Sequence, residues 1–291
     1  MLLNDPISLD PFIGQQEVVD RLETWMTWAI QEGKQLPHTL LVSEPGLGKT
    51  KLVRGVAAEL GRDLYEVDLS KVSPSRLEAT LMDAASGILF LDEVHMAKPK
   101  EQEQLLLVAE EGFLLTRHGH QYDVEDLTII AATTKPQKLD AAFRDRFTIQ
   151  LTLHPYAEDD MVKIVHHMAT SMGIAIPEGD AVTLARAACG VPRTARHLVA
   201  GYRTLGEDAC AEEALRLLGL QSDGLGDVHI QYLQALKDFG GQLGEAALAR
   251  VLRLHPSVLY DVESRLLGSL VKLTPSGRVI TRHGLERLRQ K

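Results

Sequence analysis

Lys49 and Thr50 follow two closely spaced glycines, Gly46 and Gly48, a grouping suited to phosphate chemistry. The glycines let the backbone turn so that several N–H groups aim at one anion, at a helix start whose dipole favours negative charge. The Lys49 ammonium can then reach the β- and γ-phosphates of a nucleotide, and the Thr50 hydroxyl can ligate Mg²⁺. Glu44, Pro45, Leu47 and Lys51 complete the loop. Ser43 stands where the pattern usually begins with glycine. Serine is small, so the loop is expected to survive the replacement.

Four further groups could act on a bound nucleotide. Asp92 and Glu93 close an apolar run, which suits Asp92 to hold Mg²⁺ and Glu93 to polarise an attacking water. Thr133 and Thr134 close the next apolar run, where a hydroxyl could sense the γ-phosphate, although threonines at strand ends are commonly turn formers. Arg144-Asp145-Arg146 follows within a dozen residues. An arginine there could reach a neighbour's phosphate, or the cluster could be a solvated ion-pair group. Pro192-Arg193 opens a later helical pattern and could place a guanidinium over the phosphates. His95, His166, His167, His118 and His120 lack the carboxylate or Cys set of a metal site, so they read as structural or exposed.

Short strands alternating with helices must carry these groups. An apolar strand begins at Thr39, and Leu52, Val53, Val56, Ala57 and Leu60 then repeat at helical spacing up to Gly61, a helix stop. Residues 64–69 read as a strand, Ser73-Pro74 as a helix cap, and residues 87–92 as a buried parallel strand. The alternation predicts an α/β domain with a parallel sheet and its ligand at the carboxyl ends of the strands. Residues 113–124 interrupt it as a β-hairpin with Gly119 in the turn around Arg117, and residues 127–132 and 147–153 supply the remaining strands.

Beyond Pro155 the pattern is helical only, which predicts a small lid. Residues 221–227 have linker composition. Three short helical patterns and a two-stranded wing around Pro275 and Gly277 then outline a winged helix. The expected domains are 1–154, 155–222 and 223–291.

The composition, 45% hydrophobic and 24% charged, is that of an ordinary globular chain. No apolar run is long enough to span a bilayer, and the two cysteines, Cys189 and Cys210, form no disulfide pattern; the expected location is cytoplasmic. A net charge of −9 argues against indiscriminate nucleic-acid binding. From Asp223 onward, however, ten basic residues face seven acidic ones, so DNA contacts are expected there, at Lys272, Arg278 and Arg282.

Together these motifs resemble the AAA+ ATPases and, more closely, the RuvB family of Holliday-junction branch-migration motors. The similarity covers nearly the whole chain. It rests on Phe12-Ile13-Gly14-Gln15, the loop Glu44 to Thr50, the run Ile88 to His95, Ala131 to Thr134, Phe143 to Phe147, Gly190 to Thr194, Phe239 to Gly241, and Leu273 to Val279. The resemblance implies that Phe12 and Ile13 line the adenine pocket. It makes Lys49 and Thr50 Walker A, Asp92 and Glu93 Walker B, Thr134 sensor 1, Arg146 a finger acting on the neighbouring subunit, and Arg193 sensor 2. It also implies ATP and Mg²⁺ as cofactors, a hexameric ring on duplex or branched DNA, and a junction-binding protein partner recruited through the hairpin 113–124. The chain departs from the family at Asp5-Pro6, in a shorter hairpin, and at Leu273 and Ser276, where arginine is common. The alternative is a nucleotide-switched loader that assembles on another DNA replication or recombination protein.

Overall fold

The computed structural model describes Leu9 and residues 12–116, 118–206 and 209–289. Asp5, Pro6 and Arg117, singled out from sequence, lie outside the described residues. The chain divides after Tyr156 into two compact units, residues 1–156 and 157–291.

The first unit opens with helix α1 (Gln16–Glu32), which buries Val18, Val19, Leu22, Met26 and Ala29 along one stripe. Strand β1 (Thr39–Val42) and helix α2 (Lys49–Leu60) flank the glycine loop. Gly61 ends α2 in the left-handed conformation. Strand β2 (Leu64–Asp68) leads to helix α3 (Pro74–Asp83), where the Ser73 hydroxyl accepts the Arg76 N–H as an N-cap. Then come β3 (Ile88–Asp92), α4 (Pro99–Glu111), β4 (Phe113–Leu115), β5 (Gln121–Asp123), β6 (Thr128–Thr133), the short α5 (Ala141–Arg144) and β7 (Ile149–Thr152).

Five of these strands form one parallel sheet in the order β2-β3-β6-β1-β7. The alternation in the sequence anticipates this arrangement, because parallel strands need helical crossovers. Both faces of β3 are covered, so it reads as an unbroken apolar run: Ile88, Leu89, Phe90 and Leu91 are all buried. Burying each such side chain favours folding by about 1.5–3 kcal/mol. That rigid centre carries Asp92 at its carboxyl edge. Strands β4 and β5 pair antiparallel outside the sheet, with Gly119 at φ 79° and with Leu115 and Tyr122 exposed.

The second unit holds helices α6 (Glu158–Ser171), α7 (Glu178–Ala187), α8 (Pro192–Thr204) and α9 (Ala211–Leu217). It continues with α10 (Asp227–Asp238), β8 (Gln242–Leu243), α11 (Glu245–Leu252), α12 (Pro256–Leu266), β9 (Val271–Thr274), β10 (Gly277–Ile280) and α13 (Arg282–Arg287). The three short strands pair in the order β8-β10-β9 and pack on a core that includes Tyr232, Leu236, Leu248, Leu259 and Leu266. The third strand, β8, and the last helix are additions to the outline drawn from sequence.

Residues 221–227 are not the free tether their composition suggests. Gly224 sits at φ 77°, and a Cβ there would meet the Ala187 carbonyl at 2.3 Å. Arg265 of α12 donates to the Gly224 carbonyl at 2.8 Å and to the Thr194 hydroxyl at 3.0 Å. One guanidinium thus fastens the segment and the start of α8 to the C-terminal helices.

Candidate nucleotide site

The loop between β1 and α2 needs left-handed backbone at Gly46 (φ 87°) and Gly48 (φ 102°), which only glycine adopts without strain. Lys49 is the first residue of α2, and its ammonium is folded back into the loop and buried. It lies 3.1 Å from Ser43 Oγ and 3.5 Å from the carbonyls of Ser43 and Glu44. Ser43 therefore supplies the lysine with an acceptor that glycine lacks, and the loop keeps its shape. Thr50 follows in the first turn of α2.

Asp92 ends β3 and accepts the Glu93 N–H at 3.0 Å. Burial pushes the Asp92 carboxyl above its ordinary pKa, and the Lys49 charge opposes that shift. Neighbouring Glu93 and Asp68 add negative charge. Among the described residues no group of three His, Cys, Asp or Glu side chains could hold a metal. The oxygen set that sequence predicts, the Thr50 hydroxyl and the Asp92 carboxylate, instead fits Mg²⁺, which takes one or two protein ligands and shares the rest with phosphates and water. Bound there, the ion would neutralise charge developing on the phosphate oxygens.

Glu93 turns out of the strand at φ 53°. Its Oε2 accepts the Thr134 hydroxyl at 3.0 Å, so the residue expected to sense phosphate touches the residue expected to act on water. His95, read from sequence as structural or exposed, lies in the same cluster at 3.1 Å from Glu93 Oε2.

Phe12 and Ile13 are half-buried, and the Phe12 ring comes within 3.6 Å of where a Gly48 Cβ would lie. Gln15 holds this segment to the end of β7: its amide donates to the His154 carbonyl at 2.5 Å and accepts the His154 N–H at 3.2 Å. Sequence reasoning missed Tyr156, whose hydroxyl donates to the Leu47 carbonyl in the loop at 3.1 Å. Its only sequence signal is its place beside Pro155, at the end of the strand pattern.

The remaining expected residues are carried by other elements. Arg146 follows α5, half-exposed, in an ion pair with Glu110 of α4. Arg193 is exposed in the first turn of α8, in the second unit.

Lys272 and Arg282 are exposed on β9 and α13, and Arg282 pairs with Glu286. Arg278, the third expected DNA contact, has internal partners. Its guanidinium is turned inward from the wing, where Nε and Nη2 donate to the Glu263 carboxylate at 2.8 and 3.1 Å. Nη2 also donates to Glu245 at 2.8 Å, and Tyr232 donates to Glu263 at 2.8 Å. The Glu263 side chain is 3% exposed, so it needs this partner more than a phosphate would. Arg278→Ala should therefore destabilise the protein by about 3–5 kcal/mol, because it strands a buried carboxylate. Urea unfolding checks this, and unchanged stability with lost DNA binding would make Arg278 a DNA contact and not a structural group.

Comparison with known proteins adds to this geometry. Residues 5–153 match the family model described as the Holliday junction DNA helicase RuvB P-loop domain. The Holliday junction branch migration complex subunit RuvB of Rubrobacter xylanophilus is 33% identical over an alignment of 306 positions that covers 97% of this chain and 86% of that protein. The Lacticaseibacillus casei counterpart is 32% identical, over 96% of this chain and 89% of its own length. Among solved structures, the Thermotoga maritima RuvB Holliday junction branch migration motor superposes with a TM-score of 0.85 at 28% identity, over 98% of both chains. A point mutant of that protein gives a TM-score of 0.86, also at 28% identity and 98% of both chains.

Proposed function

This chain belongs to the RuvB family, and we propose that it is an ATP-driven motor that moves the arms of branched DNA. The observation that carries the chemistry is the convergence of Lys49, Asp92, Glu93 and Thr134 on one edge of the parallel sheet. Lys49 leaves its loop acceptors for phosphate oxygens, and the loop N–H groups cradle them. Glu93 accepts a proton from the water as the water oxygen bonds to the γ-phosphorus and the β–γ bridging bond breaks. Thr134 keeps the Glu93 carboxylate in place while this happens. Phe12 and Ile13 pack against the base, and Arg193 closes on the phosphates from the helical lid, residues 155–222.

Assembly is part of the same reading. Arg146 serves the site of a neighbouring copy, in a homo-oligomeric, hexameric ring. The winged helix, residues 223–291, grips duplex through Lys272 and Arg282, by charge and without base identity. The hairpin 113–124, with Leu115 and Tyr122 exposed, recruits a junction-binding protein. No helix among the described residues is long and apolar enough to cross a membrane, and a cytoplasmic location suits this work.

The second reading, a nucleotide-switched loader, draws support from the wing, where Arg278 is consumed internally and Leu273 is exposed. ATP turnover with and without four-way junction DNA separates the two. A motor should be stimulated by the junction. Lys272→Ala combined with Arg282→Ala should weaken junction binding and lower its salt slope by up to ~2 counterions. Turnover indifferent to DNA, with the double variant binding like the parent, would favour the loader.

A further inference from the structure

Glu93 is the group proposed above to act on water, and its side chain is held by more than Thr134. Its Oε2 lies 3.1 Å from Nδ1 of His95, which sits on the short turn Val94–Met96 after β3. The same Nδ1 is 3.1 Å from the hydroxyl of Thr133, which also accepts the Lys135 N–H at 3.0 Å. Thr133 is fully buried at the end of β6, and the His95 side chain is only 5% exposed. The imidazole is thus wedged between the catalytic carboxylate and the strand that ends in both sensor candidates.

Chemistry fixes which ring nitrogen carries the hydrogen. A lone pair on Nδ1 would face the oxygen of an ionised carboxylate at 3.1 Å, so the hydrogen belongs on Nδ1, where it donates to the Thr133 hydroxyl and lies beside Oε2. Burial holds the imidazole below its ordinary pKa, against the pull of Glu93, so a neutral ring has one such hydrogen to place. Oε2 then accepts the Thr134 hydroxyl and lies 3.1 Å from the polar Nδ1–H edge of His95, while Oε1 has no hydrogen-bond partner among the described residues.

We infer that His95 is a positioning residue for Glu93: as the Nδ1–H tautomer it fixes one carboxylate oxygen against the end of β6 and leaves the other to accept the proton of water. The inference rests on the reading of Glu93 as the group that acts on water. It also gives β6 a direct grip on that group, so a displacement at Thr133 or Thr134 redirects Glu93.

Two kinds of measurement test this. In the nucleotide-free protein labelled with ¹⁵N-histidine, the His95 signals, assigned by their loss in His95→Asn, should show Nδ1–H; an Nε2–H tautomer overturns the inference whatever the enzyme does. In turnover, His95→Ala should lose about 10- to 100-fold in kcat, the range seen when an orienting partner is removed, while ATP affinity stays within about two-fold. His95→Asn, which keeps an N–H near the Nδ1 position, should recover most of the rate. In a Glu93→Gln background His95→Ala should cost nothing further, because residues acting as one unit are not additive. Parental turnover in His95→Ala, or a full extra loss on top of Glu93→Gln, contradicts the inference. A parent that does not hydrolyse ATP contradicts the proposed function instead, and the tautomer still decides the role of His95.

Discussion

Arg146→Ala should bind ATP as the parent does and hydrolyse it about 10³- to 10⁵-fold more slowly, the range measured for arginine fingers. The size of the effect follows from where the charge is delivered: a guanidinium on the transferring phosphoryl group acts on the transition state, not on the bound ground state. The ion pair between Arg146 and Glu110 does not stand in the way. Both side chains are substantially exposed, and such pairs contribute about 0–1 kcal/mol, far less than a finger gains at its target. Glu110→Ala should accordingly leave turnover near the parental rate. Mixing Arg146→Ala with Glu93→Gln subunits provides the sharper check. Some interfaces then combine an intact glutamate with an intact arginine, and activity should exceed that of either variant alone. If no mixing ratio does so, Arg146 acts within its own subunit or only supports the fold.

How far the sequence could be read depended on how local each signal was. The glycine loop, Lys49 and Thr50 are contiguous, and their strand–loop–helix setting is written in the flanking residues; the structure has the same strand, loop and helix. The same holds for Asp92 and Glu93, because a buried parallel strand leaves an apolar run that ends where the chemistry begins. Arg278 could not be placed in this way. Its partners Glu263 and Glu245, and Tyr232 beside them, come from three different helices, and a basic residue beside a wing turn looks free until those carboxylates are located. The composition of residues 221–227 does not show their packing, since the Gly and Asp of a linker also build a tight, packed turn around Gly224. His95 carries no local signal of its role: its contact to Thr133 spans 38 residues and exists only where β3 and β6 run side by side.

The second large effect concerns the reaction itself. Lys49→Ala should lose nucleotide binding, because it removes the buried ammonium from a loop built to hold phosphates. Glu93→Gln should bind ATP and retain it, with turnover about 10²- to 10⁴-fold down, the usual worth of a positioned general base. Gel filtration with labelled ATP distinguishes the two variants: one elutes empty, the other loaded. A Glu93→Gln protein that turns over like the parent would remove Glu93 from the chemistry, and with it the role given to His95.

The central claim is that hydrolysis at this site moves DNA arms, and a synthetic four-way junction with fluorescent, non-complementary arm ends measures it directly. With ATP and Mg²⁺, and with a junction-binding protein supplied if loading requires one, the parent should convert the junction into two duplexes over time. Glu93→Gln should bind the junction and leave it intact. Junctions that stay whole while the parent hydrolyses ATP at full rate would contradict the motor and establish the loader in its place.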